Sequence, residues 1–141
     1  WDWRVAVIQF IKGSRETGEM RFFRHFVPDM IFEQYGLGLT SRPGDHTGAA
    51  QKGWERVKGL LSGFDGELLV LDELNVVLSY GYLDVDEVVS AIQRKRRGLN
   101  VVVTGRGAPE QLLAVCDMVS DIAEVKHQYR RGIPAGKGLD F

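Results

Sequence analysis

The chain has 141 residues, of which 44% are hydrophobic and 26% charged, and its 18 basic and 19 acidic side chains leave a net charge of −1. One domain of this size, residues 1–141, can bury roughly two-thirds of its unfolded surface, and so balanced a charge excludes a global attraction to nucleic acid or an anionic membrane. The single cysteine, Cys116, excludes an intramolecular disulfide framework and a multi-cysteine zinc site and fits a reducing, cytoplasmic setting, while no apolar run nears the roughly 20 residues of a membrane span.

The chain starts Trp1-Asp2-Trp3 and runs straight into Val5-Ala6-Val7-Ile8. Two tryptophans so close to a core strand lead us to expect a fragment with an upstream piece missing. Arg4 to Ile11 reads as a strand covered on both faces, because it is almost wholly apolar up to Gln9. Glu16 to Phe26 reads as a short helix whose cluster Phe22, Phe23 and Phe26 belongs to the core. Asp29 to Tyr35 reads as a second strand, followed by the glycine-rich turn Gly36 to Ser41 and the loop Arg42-Pro43-Gly44.

His46 to Leu61 carries apolar residues at three-to-four residue intervals and predicts a helix that Gly63 ends. Leu68 to Leu71 predicts a buried strand ending in Asp72-Glu73. Asp84 is a good N-cap for a helix through Arg97, with Asp86 and Glu87 in its first turn and Arg94 to Arg97 in its last, both complementing the helix dipole. Gly98 stops it. Leu99 to Val103 predicts another strand, Pro109 a first helical position for Glu110 to Cys116, and Val119 to Val125 a last strand before a basic, glycine-rich tail. Cys116 lies on an apolar helix face and reads as a core residue. Strands alternating with helices in this rhythm mean an α/β fold with a mostly parallel sheet.

Ligands of such sheets bind beyond the carboxyl ends of the strands, which selects Gln9 to Gly13, Gly36 to Ser41, Asp72 to Asn75 and Thr104 to Gly107. Four apolar residues followed by Asp72-Glu73 resemble a Walker B element, in which a carboxylate holds Mg²⁺ against nucleotide phosphates; the alternative is that these acids merely cap the next turn. Arg106, between two glycines, can present a guanidinium to phosphate or be a solvated loop residue, and Lys12 invites the same two readings. His25, His46 and His127 lack metal-ligand spacing. No Gly-x-Ser-x-Gly frame supports a hydrolase.

Val5 to Gly13 (VAVIQFIKG), Leu71 to Asn75 (LDELN), Thr104 to Gly107 (TGRG), Val125-Lys126-His127 and the ending Gly138 to Phe141 occur in that order. Together they resemble the corrinoid adenosyltransferases of the cob(I)alamin, or cob(I)yrinic acid a,c-diamide, type over the whole chain from Val5. The resemblance implies a three-layer, RecA-like P-loop fold and transfer of the 5′-deoxyadenosyl group of ATP to the cobalt(I) of a reduced corrinoid, with release of triphosphate. It implies Mg²⁺, a homodimer, and a reduced flavoprotein as electron donor. Glu73 matches the family's acidic Mg²⁺ ligand, with Asp72 beside it. Gln9, Lys12 and Arg106 match nucleotide-proximal positions, and Lys126 and His127 match a pair near the site.

Two departures stand out. The family's phosphate loop, GxGKGKTT, should lie upstream of Val5 with a first strand and helix, and these residues do not include it. On the resemblance the sheet would therefore lack its middle strand, and the 141 residues alone would bind ATP poorly and turn over little. The family's corrinoid-contacting GxGFTW turn reads Gly36-Leu37-Gly38-Leu39-Thr40-Ser41 here, so Gly38 is kept while Leu39 and Ser41 replace Phe and Trp. Competing expectations are a non-catalytic corrinoid- or nucleotide-binding relative without the phosphate loop, and a RecA-type ATPase that would release ADP and phosphate.

Overall fold

A computed structural model describes residues 2–13, 16–38, 40–134 and 136. Its elements in order are β1 (Val5–Gln9), α1 (Gly18–Phe26), β2 (Ile31–Gln34), α2 (His46–Gly63), β3 (Leu68–Asp72), α3 (Leu74–Ser79), α4 (Val85–Gln93), β4 (Asn100–Val103), α5 (Glu110–Leu113) and a 3-10 turn, Gln128–Arg131. The four strands form one all-parallel sheet in the order β2-β1-β3-β4.

Parallel strands need crossovers, and each crossover helix must bury an apolar stripe on the sheet. Ala6 and Ile8 of β1, with Leu69 and Leu71 of β3, turn toward Trp54, Val57 and Leu61 of α2 and Val88 of α4, forming the main core. The alternate residues face the other way, where Phe23 of α1 stacks on Phe32 of β2 at 5.5 Å. Helices on both faces give the three layers of the expected α/β fold. The strand ladder is unbroken, with β3 pairing directly to β4 from Leu68↔Asn100 to Leu71↔Val103. Among the described strands no gap separates one from the next.

Polar links tie the layers together. Trp54 Nε1 donates to Glu87 Oε1 at 3.1 Å, joining α2 to α4. Arg56 of α2 holds Glu33 of β2 through both carboxylate oxygens, at 3.0 to 3.1 Å, and the Tyr35 hydroxyl donates to the same carboxylate at 2.8 Å. Burial alone would raise the Glu33 carboxyl, but the Arg56 guanidinium and the Tyr35 hydroxyl outweigh it and hold Glu33 below the ordinary carboxylate value.

Several expectations need correction. α4 ends at Gln93, so Arg94 to Arg97 are not its last turn. Its Asp84 N-cap is as expected, with Oδ1 accepting from Glu87 N at 2.8 Å. The chain leaves the helix because Arg96 serves α2 instead. Its backbone N–H donates to Leu61 O at 2.8 Å, and its guanidinium donates to the carbonyls of Phe64 and Gly66, satisfying groups the end of α2 leaves open. The strand expected over Val119 to Val125 is absent. That stretch is irregular, with Ile122 and Val125 92% and 95% exposed, because its apolar residues fall three apart rather than alternating and no ladder partner among the described residues lies beside it.

α3 was not anticipated at all. Pro109 caps α5 rather than opening it, and α5 stops at Leu113, which leaves Cys116 exposed instead of in the core. Phe22 and Phe26 are likewise exposed, and only Phe23 packs inward.

The Arg56–Glu33 clamp gives a test. Glu33 has its carboxyl depressed on folding, so its contribution is present above the unfolded value near 4.5 and is lost as pH falls through the folded one. Glu33→Gln should cost roughly 1 kcal/mol at pH 7. In urea titrations the gap between variant and parent should close below pH 4.5. A gap that stays constant down to strong acid would show that the clamp does not act through ionised Glu33.

Candidate functional site

The sheet register brings the carboxyl ends of the strands together: Gln9 of β1 is paired with Gln34 of β2 on one side and Asp72 of β3 on the other. Gln9 is 4% exposed, so its amide must find partners inside the protein. Its Nε2 donates to Asp72 Oδ2 at 3.0 Å and to Glu19 Oε1 at 3.3 Å, and its Oε1 accepts from Gln34 Nε2 at 2.9 Å. Thr104, the first residue after β4, donates from Oγ1 to Asp72 Oδ1 at 2.9 Å. Both oxygens of Asp72 are therefore fixed by groups from neighbouring strands.

The same Thr104 hydroxyl accepts from the Glu73 backbone N–H at 3.0 Å. That bond holds Glu73 at φ 62°, the left-handed region, where it is alone among the described non-glycine residues. Such a conformation costs a residue with a side chain about 1 kcal/mol or more and persists where the surroundings impose it. Glu73 stands at the N-cap of α3, yet its side chain makes no capping hydrogen bond. The reading of Glu73 as a mere turn cap is thus removed; its carboxylate is half-buried and has no partner among the described residues.

The arginine loop packs against this bend. Gly105 has φ 119°, and a Cβ there would sit 3.2 Å from Glu73 Cα and 3.1 Å from Asn75 Cβ, so only glycine lets the two loops meet. Arg106 follows, exposed and without a hydrogen bond or ion pair among the described residues, its guanidinium free to meet an anion. Asn75 is buried with Nδ2 donating to Gly105 O at 3.4 Å, while its Oδ1 has no partner among the described residues.

Lys12 extends from the end of β1 and pairs with Glu19 of α1. The Lys12 ammonium, together with Gln9, holds the Glu19 carboxyl below its ordinary value against the opposing effect of burial. The turn after β2 closes onto the same strand end. Gly38 N donates to Ile11 O at 2.9 Å, and a Cβ on Gly36 would lie 2.2 Å from the Ile11 carbonyl, an approach no other residue allows. Gly38 thus lies against the Gln9 to Gly13 segment, Ser41 is exposed, and Leu39 lies outside the described residues. Lys126 and His127 are on the exposed stretch before the 3-10 turn. His127 caps that turn, with Nδ1 accepting from Tyr129 N at 3.1 Å, and neither residue touches the acidic pair. The ending Gly138 to Phe141 lies outside the described residues.

Gln9, Asp72 and Glu73 therefore meet at one point, with Lys12 and Arg106 on adjoining loops. Thr104 and Asn75, which the strand-end rule selects only as parts of a segment, join them, together with Gln34 and Glu19, which it does not select. A threonine one residue past a strand and directly before a glycine was the available signal. The donor set suits Mg²⁺, which binds through one or two carboxylates and takes its other ligands from phosphate and water. No group of three or more His, Cys, Asp or Glu that could form an all-protein metal cage occurs among the described residues.

Glu73 offers a direct test of imposed strain. Glu73→Gly should raise stability by about 1 kcal/mol, because glycine adopts positive φ without a Cβ penalty. The urea midpoint reads the change, and a midpoint at or below that of the parent would contradict the strain.

Comparison with known proteins fits this geometry. The family model described as "ATP:corrinoid adenosyltransferase BtuR/CobO/CobP" matches residues 1–141. A corrinoid adenosyltransferase of Pseudomonas aeruginosa is 40% identical over 141 residues, covering 98% of this chain and 70% of that protein. One from Sinorhizobium sp is 38% identical, covering 96% and 66%, and one from Escherichia coli K12 is 34% identical over 139 residues, covering 98% and 71%. With its whole length matched and its strand-end acids, arginine loop and glycine turn gathered at one edge of a parallel sheet, the chain belongs to the ATP:corrinoid adenosyltransferase family.

Proposed function

We propose that the carboxyl edge of this sheet transfers the 5′-deoxyadenosyl group of ATP to the cobalt(I) of a reduced corrinoid and releases triphosphate, with Glu73 and Arg106 as the groups that meet the nucleotide. The observation that carries the residue assignment is the pairing of an uncapped, half-buried Glu73 carboxylate with an unpaired arginine on the loop packed against it. Cobalt(I) in the corrinoid substrate is the nucleophile. Its electron pair forms the bond to C5′ while the C5′–O bond breaks and its pair leaves with the triphosphate. No proton has to be abstracted, so the site needs no general base.

The protein's tasks are then positioning and charge stabilisation. Glu73, with Asp72 beside it, would hold Mg²⁺, which supplies neutralisation of the phosphate charge when bound. Asp72 is oriented for this by Gln9 and Thr104. Arg106 reaches the departing phosphates with a guanidinium that can engage two oxygens at once. Lys12 can exchange its Glu19 partner for a phosphate oxygen, and the exposure of that pair keeps the exchange inexpensive. Gly38 lies against the strand end through Ile11, which supports Gly38, Leu39 and Ser41 as the residues that meet the corrinoid.

Beyond the site we further propose a homodimer, a reduced flavoprotein as the source of electrons for cobalt, and a cytoplasmic setting. No helix among the described residues is long and apolar enough to cross a membrane.

Product analysis tests the reaction. Under anaerobic conditions, with ATP, Mg²⁺ and a chemically reduced corrinoid, triphosphate should appear in equal amount to the adenosylated corrinoid, and none should form when the corrinoid is omitted. Release of ADP and phosphate independent of corrinoid would contradict the proposal and favour an ATPase.

A further inference from the structure

Beyond the far end of α3 lies an aromatic surface that the proposed chemistry does not use. Helix α3 stops at Ser79, and the segment Tyr80-Gly81-Tyr82 carries the chain on to α4. The two tyrosine rings stack 5.5 Å apart at 14°, and Tyr82 stacks in turn on His46 in the first turn of α2, at 6.0 Å and 13°. Tyr80 ends this three-ring stack and is 57% exposed, so one aromatic side is open to solvent. His46 Nε2 is bonded to the Arg42 carbonyl at 2.8 Å, which ties the stack to the loop leading out of the glycine turn.

Beside the stack opens a cleft of about 590 Å³, lined by Tyr82 and by Thr47, Gln51, Asp84, Asp86 and Gln111. Its polar groups are hydroxyl, carboxamide and carboxylate, and no Lys, Arg or His among the described residues lines it. Asp84 already caps α4 through Oδ1, whereas Asp86 is exposed and has no partner among the described residues. The cleft adjoins the candidate site. The six residues of α3 cover about 9 Å, and the arginine loop runs alongside, with a Cβ on Gly107 falling 3.2 Å from Ser79 Cβ.

A corrinoid whose cobalt approaches a nucleotide held at Glu73 and Arg106 must spread its wide macrocycle over the neighbouring surface. We propose that the Tyr80–Tyr82–His46 stack and the adjoining cleft receive the edge of that macrocycle, and that Asp86 selects side chains ending in neutral amides over side chains ending in carboxylates. This rests on the corrinoid reading above. The open tyrosine face offers an apolar platform to the ring edge. Peripheral amides can donate to Asp86 and exchange hydrogen bonds with Gln51 and Gln111. A peripheral carboxylate would instead meet Asp84 and Asp86 with no cation in the cleft to offset the repulsion, and a built-in repulsion of this kind is an effective source of specificity.

Equilibrium dialysis of the chain against two base-free corrinoids tests the selection: cobinamide, whose side chains are amidated, and cobyrinic acid a,c-diamide, which keeps free carboxylates. The parent should bind cobinamide about fivefold or more tightly than the acid, and the ratio should shrink as salt is added. Asp86→Asn should bring the two affinities together by tightening the acid. Tyr80→Ala should weaken both by about fivefold, with Tyr80→Phe retaining the parent affinities. A preference unchanged in Asp86→Asn would belong to overall charge and would overturn the selection, as would equal binding of both corrinoids by the parent. If the parent binds neither, the corrinoid reading itself fails and takes this inference with it.

Discussion

The candidate site depends on one hydrogen-bonded hub, the carboxylate of Asp72. Thr104 from the end of β4 donates to one oxygen and Gln9 from the end of β1 to the other, so three adjacent strands converge on a single charged group. Hydrogen bonds to an ionised acceptor stabilise more than neutral ones, roughly 1.5–3 kcal/mol each, and a half-buried carboxylate without them would be expensive. The Thr104 hydroxyl also receives the Glu73 N–H. The side chain that anchors one acid thus also holds the backbone bend at the next, where the Glu73 carboxylate makes no capping bond to its own helix. Anchored Asp72 and unattached Glu73 are products of one threonine.

The rest of the fold supplies the platform for that hub. Buried Ala6 and Ile8 of β1 and Leu69 and Leu71 of β3, at alternate positions, fix the register that sets Gln9 against Asp72, and slipping either strand by one residue would turn one of them into the core. α2 covers the register from one face and is itself finished by Arg96, which leaves α4 early to do so. Glycines do the work where loops must touch: Gly36 against Ile11 and Gly105 against Glu73. Rigid strands and close loops are what a displacement reaction needs when its nucleophile comes with the substrate and the protein contributes mainly orientation.

Much of this was legible in the sequence. The strands were readable because fully apolar runs such as Leu68 to Leu71 have few other uses, and the carboxyl-end rule then pointed to Gln9, Asp72, Glu73 and Arg106. The turn at Gly36 to Ser41 was marked by its glycines. α3 escaped because Leu74 to Ser79 is short, apolar around most of its circumference and free of capping signals, so periodicity has nothing to register. Val119 to Val125 misled for the opposite reason, since a few aliphatic residues resemble a strand until a partner is required. The basic run after Gln93 resembled a helix end because Arg96 is bonded to carbonyls some thirty residues earlier in the chain, a partner that local patterning cannot show. The role of Thr104 depended likewise on which strand lies beside β4.

Replacing Thr104 with valine removes the hydroxyl and keeps the shape, and so tests the hub most directly. Titration with ATP and Mn²⁺, followed by water-proton relaxation, would report the affinity of the acidic pair for a divalent cation and nucleotide together. Thr104→Val should weaken that affinity about tenfold, equivalent to about 1.4 kcal/mol, while Thr104→Ser keeps it near the parent value. An affinity in Thr104→Val equal to that of the parent would contradict the dependence of the site on the Thr104–Asp72–Gln9 network.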